Sequence, residues 1–211
     1  MSELVLYVGN KNYSSWSLRP YLALAHTGAP FRTSMIQLDQ PDSKANMLAV
    51  NPAGRVPVLV DGDLTIWDSL AIGEYLAEKF PAAGLWPRDA RVRARARSIS
   101  AEMHSGFAGV RTSMPMDLRS RKPTPALSDA TRGEIARIQA IWRTELAAHG
   151  GPFLFGSFSL ADAMFAPVTT RFTTYGVALD EVCQAYVQTI AALPAYQQWY
   201  ADAVAEPWTL G

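Results

Sequence analysis

Every strand-like run in this chain falls within its first 80 residues, and that asymmetry constrains the fold more than any other feature. Residues 4–8 (LVLYV) and 31–38 (FRTSMIQL) are short β-leaning runs. Between them, residues 16–27 carry apolar positions at helical spacing and stop at Gly28. A polar stretch at 39–46 holds a weak helical pattern. Two further strands, 56–60 (VPVLV) and 64–67 (LTIW), flank Asp61-Gly62-Asp63, where glycine supplies the positive φ of a tight hairpin. Residues 69–79 then read as an amphipathic helix that Pro81 ends. The order is β-α-β-(α)-β-β-α, with the first two strands parallel and the hairpin antiparallel.

Residues 80–90 (FPAAGLWPRDA), with two prolines and a glycine, read as a linker. Beyond it only helical patterns remain, at 91–118, 128–149, 160–174, 182–192 and 195–205. The reading is therefore an α/β unit over 1–80, a linker over 81–90 and an all-helical unit over 91–211.

Composition limits the function. The 211 residues contain 19 bases and 19 acids, which cancels the field a nonspecific nucleic-acid binder needs. A hydrophobic fraction of 49% suffices for a large core. No apolar run approaches the ~18 residues of a membrane span, and residues 1–7 (MSELVLY) lack the basic start of a secretory leader. The expectation is a cytoplasmic protein with a small ligand. A single cysteine, Cys183, excludes an internal disulfide and reads as a small buried hydrophobe or inert thiol. His26, His104 and His149 have no metal-ligand spacing, so no metal is implied.

Three segments carry candidate chemistry. In Tyr13-Ser14-Ser15-Trp16-Ser17-Leu18-Arg19, hydroxyls sit where a loop enters a helix. Ser14 or Ser15 is a natural N-cap, and the positive end of the helix also favours an anion such as a thiolate. Both readings, cap and catalysis, are open from this segment alone. In Asn51-Pro52-Ala53-Gly54-Arg55-Val56-Pro57, Pro57 interrupts a strand pattern, either as an ordinary strand start or as a cis bond. A cis bond there leaves the Val56 backbone able to pair with an extended peptide ligand. Asp68-Ser69 opens a helix that can hold a carboxylate, while Asp68 accepts from an ammonium group.

Together with Asp68-Ser69-Leu70-Ala71-Ile72 and Phe158-Ser159-Leu160-Ala161-Asp162, these strings resemble the glutathione transferase superfamily over nearly the whole chain. The Ser-Ser-x-Ser-x-Arg string is similar to the zeta class, which includes maleylacetoacetate isomerases, with Trp16 where that class has cysteine. The resemblance implies a thioredoxin-like N-terminal domain with a mixed four-stranded sheet, an all-α C-terminal domain and a cis Val56–Pro57 bond. It implies glutathione as co-substrate, bound by Arg55, Val56, Pro57, Asp68 and Ser69. It implies Ser14 as the thiol partner, with Ser15 as the second choice and Tyr7 and Tyr13 as lesser ones. A small electrophile is the implied second substrate, and a homodimer the implied assembly. The alternative is a noncatalytic carrier or regulator of the same fold.

Ser159 and Asp162 form an S-x-x-D helix-start box and are assigned to structure. The electrophile pocket is expected to draw on Met103, His104, Phe107, Arg111 and Met114. Positions 103, 107, 111 and 114 share one face if the 91–118 pattern is a single helix. Core packing is the competing role for Met103 and Phe107. Arg171 reads as an anion anchor or as a solvated surface residue. The arginines of residues 88–97 (RDARVRARAR) read as a solvated helix surface, with a dimer or anion contact as the other option.

Overall fold

The computed structural model describes residues 3–209; residues 1–2 of the leader reading and 210–211 of the helical range lie outside it. A four-stranded sheet is built from β1 (Leu4–Val8), β2 (Phe31–Met35), β3 (Val58–Asp61) and β4 (Leu64–Trp67), in the order β2-β1-β3-β4. β1 runs parallel to β2 and antiparallel to β3, with Tyr7 opposite Ser34 on one side and Val58 on the other. The β3–β4 hairpin turns at Gly62, whose φ is +63°. The crossover from β1 to β2 is α1 (Ser15–His26).

Two expected strands are shorter than read. β2 ends at Met35 rather than residue 38, and β3 begins at Val58, directly after the cis Val56–Pro57 bond. The weak helix of 39–46 forms later, as α2 (Ser43–Val50). α3 (Ser69–Lys79) closes the sheet layer, followed by a 3-10 turn at Pro81–Ala83.

The helical part comprises α4 (Ala90–Ser105), α5 (Ala108–Ser113), α6 (Asp129–His149), α7 (Leu160–Thr174), α8 (Glu181–Ala191) and α9 (Pro194–Ala205). The single helix expected over 91–118 is two. The break is at Gly106, where an added Cβ would lie 2.8 Å from the Glu102 carbonyl, and Phe107 follows with a left-handed φ of +58°. Met103, Phe107, Arg111 and Met114 therefore do not share one helix face.

α7 is the pivot of the core. It is buried on nearly every side rather than along one stripe, its polar residues Asp162, Thr169, Thr170, Arg171 and Thr174 included. It packs against α1 and α4, tying the sheet layer to the helices. Behind it, the Trp142 ring stands 5.5 Å from Phe172 and 5.0 Å from Tyr186. Cys183 is fully buried in this core, where loss of solvent pushes its thiol up to about 12, too high for nucleophilic work.

Candidate active site

A cavity of about 550 Å³ opens where α1, the loop before β3, the start of α3 and α4 meet. Arg55, Val56, Pro57, Asp68, Ser69 and His104 line it, together with Trp16, Ala53 and Trp67. The sheet positions the first wall. β3 places the cis bond at its start, and the N–H and C=O of Val56 have no hydrogen-bond partner among the described residues. β4 ends at Trp67, and the chain then turns through Asp68 at φ +74°, a conformation that side-chain-bearing residues rarely adopt.

Both oxygens of Asp68 are engaged. Oδ1 caps α3 by accepting from the N–H groups of Leu70 at 2.8 Å and Ala71 at 3.3 Å. Oδ2 meets His104 Nε2 at 3.1 Å. Burial pushes the His104 imidazole down, Asp68 opposes this, and Arg19 and Arg111 reinforce it. A neutral ring whose Nε2–H donates to Asp68 leaves Nδ1 as an acceptor, and Nδ1 is buried with no partner among the described residues. The Ser69 hydroxyl is likewise buried and unpartnered. Two orphaned polar atoms in the walls of one cavity are what a polar ligand would satisfy.

The start of α1 departs from the ordinary helix start. Ser14 occupies the N-cap position, but its side chain makes no capping bond. Its hydroxyl donates to Ser17 Oγ at 2.7 Å, and that oxygen also accepts from the Gly9 N–H. Ser15 Oγ accepts from Arg171 Nη2 at 3.1 Å. Ser15 makes no other side-chain hydrogen bond among the described residues. Neither serine is a wall of the open cavity; both are buried, and Ser15 directly precedes Trp16, which is a wall.

Arginines gather around Trp16. The guanidinium of Arg19 lies 4.3 Å from the indole ring and that of Arg111 4.8 Å. Arg19 is 1% exposed, yet its three side-chain nitrogens have no hydrogen-bond partner among the described residues. Arg111 donates to the carbonyls of Gly106, His104 and Met103, closing the end of α4. Arg171 is buried, neither solvated nor paired at the surface, and its Nη1 donates to Met114 at 2.5 Å and Arg111 at 3.3 Å. Burial, then the charge of Arg111, pushes Arg171 down to about 10, so it is still a cation at neutral pH. An apolar site crowded with cations can receive an anion.

Family models for the N-terminal and C-terminal domains of glutathione S-transferases match residues 13–79 and 125–202. Glutathione S-transferase 3 of Zea mays is 31% identical over 174 residues, 77% of this chain and 76% of the relative. The chain belongs to the glutathione S-transferase family. A probable maleylacetoacetate isomerase of Caenorhabditis elegans is 27% identical over 201 residues, 94% of this chain and 93% of the relative. Among solved structures, a glutathione transferase homolog from Burkholderia with bound glutathione superposes with a TM-score of 0.74 at 25% identity, covering 98% of this chain and 100% of that one. The fold is that of the family, a thioredoxin-like N-terminal part followed by a helical C-terminal part.

In this glutathione S-transferase the structure separates the sequence candidates into three groups. Arg55, Val56, Pro57, Asp68, Ser69 and His104 meet at the cavity. Ser14, Ser15 and Arg171 form a buried layer beside Trp16, with the half-buried Arg111 over its ring. Met103, Phe107 and Met114 are core residues and line no part of the cavity. Sequence reasoning missed Trp16, Trp67 and Arg19 as parts of the site. The signal for Arg19 was a charge among apolar neighbours, Leu18, Pro20, Tyr21 and Leu22, on a helix that the core was bound to cover. The arginine-rich start of α4 is a solvent-facing surface, with Arg91, Arg95 and Arg97 exposed, on which Arg95 pairs with Glu145 and Arg97 with Glu74.

Proposed function

We propose that this glutathione S-transferase binds glutathione in the cavity and holds its thiol as a thiolate for attack on a small electrophile. One observation carries the reading: the Ser15 hydroxyl, in the first turn of α1, is polarised by the buried Arg171 guanidinium and keeps its own proton available. A hydroxyl of that kind at the positive end of a helix donates to a sulfur anion and stabilises it relative to the thiol. This ranks Ser15 ahead of Ser14, whose proton is directed at Ser17.

The rest of the cavity suits the rest of the tripeptide. The Val56 backbone offers a donor and an acceptor to the cysteinyl unit. The Ser69 hydroxyl and the start of α3 offer donors to the γ-glutamyl carboxylate, and Asp68 accepts from its ammonium. Arg55 supplies a cation to a second carboxylate. In the reaction the thiol proton leaves to solvent and the sulfur lone pair forms the new carbon–sulfur bond.

Arg19, Arg111 and Arg171 favour an electrophile that itself carries a carboxylate, and with it a glutathione-dependent isomerisation. The thiolate adds to an activated double bond, the resulting single bond rotates, and the same sulfur leaves with its electron pair, so no co-reactant is consumed. The test compares wild type with Ser15→Ala and Ser14→Ala in glutathione affinity, thiolate absorbance against pH, and turnover of a conjugation substrate and of maleylacetone. Ser15→Ala is expected to raise the bound thiol pKa and cut turnover about 10²-fold, with Ser14→Ala doing less. A larger effect of Ser14→Ala would return the role to Ser14. No glutathione binding at millimolar concentration would favour the noncatalytic carrier.

A further inference from the structure

Lys11 lies four residues before Ser15, in the loop that leads from β1 into α1, and the far end of the chain holds all of its polar groups. Its N–H donates to Glu206 Oε1 at 2.6 Å, its C=O accepts from Trp199 Nε1 at 2.9 Å, and its ammonium pairs with Asp202. The N–H of Asn12 donates to the other Glu206 oxygen at 3.3 Å. Two successive backbone N–H groups aimed at one carboxylate make an anion nest, and here the chain supplies its own anion from 195 residues away. Arg119 closes the arrangement by donating to the carbonyls of Glu206 at 2.6 Å and Trp208 at 2.5 Å.

The loop passes this restraint on to the serines. The N–H groups of Tyr13 and Ser14 both donate to the Asn10 carbonyl, and the Ser15 N–H donates to Tyr13, so residues 10–15 form one tight turn. A displacement at Lys11 has no slack to absorb it before Ser15. Glu206 is nearly buried, a costly position for a carboxylate that serves no purpose.

We infer that Glu206, with Trp199 and Asp202, is a positioning clamp that sets where the α1 serine hydroxyls meet the thiol. Glu206 touches no reacting atom, and its effect passes through the loop. The inference rests on the thiolate reading above. A displacement of 1 Å at the donor lowers catalysis more than binding, because the thiolate needs alignment that the rest of the tripeptide does not.

The experiment uses the full chain with Glu206→Ala, Glu206→Gln and Trp199→Phe, and Glu102→Gln in the remote Glu102–Arg137 pair as a control. Measured are kcat, KM for glutathione, the pKa of the bound thiol, melting temperature and amide exchange at Lys11 and Asn12. Glu206→Ala is expected to lower kcat about tenfold, raise the thiol pKa and leave KM within threefold. Glu206→Gln, which keeps one acceptor oxygen, should fall between it and wild type, and Glu102→Gln should match wild type. If Glu206→Ala does not fold, Glu206→Gln and Trp199→Phe decide by the same kcat and pKa criteria. Unchanged kcat and thiol pKa in these variants would overturn the clamp. So would a rise in KM alone. If wild type binds no glutathione, the enzymatic reading falls by itself. Amide exchange then decides the clamp: acceleration at Lys11 and Asn12 in Glu206→Ala supports it, and unchanged exchange overturns it.

Discussion

Helices α1 and α7 both have a serine at the N-cap, Ser14 and Ser159, and their starts have opposite fates. At α7, the Asp162 carboxylate accepts from the N–H of Leu154, the N–H and O–H of Ser159, and the O–H of Tyr186, all within 3.1 Å. At α1, Ser14 does not cap with its side chain, Ser15 takes a guanidinium, and Arg19 is buried with its donors unspent. The sequence rule for a helix start is the same in both. A start whose polar groups satisfy one another is a folding element. A start left with unmet donors costs free energy and is kept where a ligand completes it.

The largest effect should come from the satisfied start. Asp162→Ala removes the acceptor of four buried donors and is expected to cost about 3–5 kcal/mol in denaturant unfolding, lowering Tm by about 10 °C in a chain this size. The bound thiol pKa should not move; a shift like that of Ser15→Ala would erase the contrast between the two starts. The same carboxyl sharpens the contrast through pH. Burial pushes Asp162 up to about 6 from an ordinary 3.8, against the pull of its four donors. The folded protein then binds the proton more tightly than the unfolded chain, so stability from this group falls as pH rises from about 4 to 6. Asp162→Asn removes that titration. The stability of wild type relative to Asp162→Asn should therefore be greatest below pH 4, decline to about pH 6 and stay level above it; a flat difference would mean the carboxyl is not raised.

Ser15→Ala should invert the pattern. Its expected loss is about 10²-fold in turnover, near 2.7 kcal/mol of transition-state stabilisation, with unfolding free energy reduced by about 1 kcal/mol, since Arg171 keeps its bond to Met114. Stability and activity measured on the same two variants would thus separate in opposite directions. If Ser15→Ala costs as much stability as Asp162→Ala and leaves turnover intact, α1 is merely a second structural start.

What the sequence showed and what it hid follow from the reach of each signal. The hairpin and the strand start were legible because glycine and proline act on their own backbone, as at Gly62 and Pro57. The cavity wall at Val56, Asp68 and Ser69 was legible because it lies in contiguous motifs. The break between α4 and α5 was hidden, since the apolar spacing runs on through it and only Gly106 marks the contact with Glu102. Met103 and Met114 were pocket candidates on spacing, with core packing the competing role for Met103, because spacing gives a face and not what that face meets. Arg171 was ambiguous for the same reason: its partners, Ser15 and Met114, are distant in sequence, 156 and 57 residues away.

The smallest effect carries the comparison to Arg19, whose side chain has no counterpart at the satisfied start of α7. A buried guanidinium with no hydrogen-bond partner is a liability in the free protein, worsened by the nearby charges of Arg111 and Arg171. Arg19→Met keeps an unbranched side chain at this buried position and removes the guanidinium that lies over Trp16, with its charge. It is expected to stabilise the free protein by about 1–2 kcal/mol. It should also weaken binding of a carboxylate-bearing electrophile about tenfold while leaving glutathione affinity within twofold. Thermal unfolding and competition binding measure the two arms. Loss of stability in Arg19→Met would show that the guanidinium is already satisfied within the fold, and the deficit at α1 would then reduce to its serines.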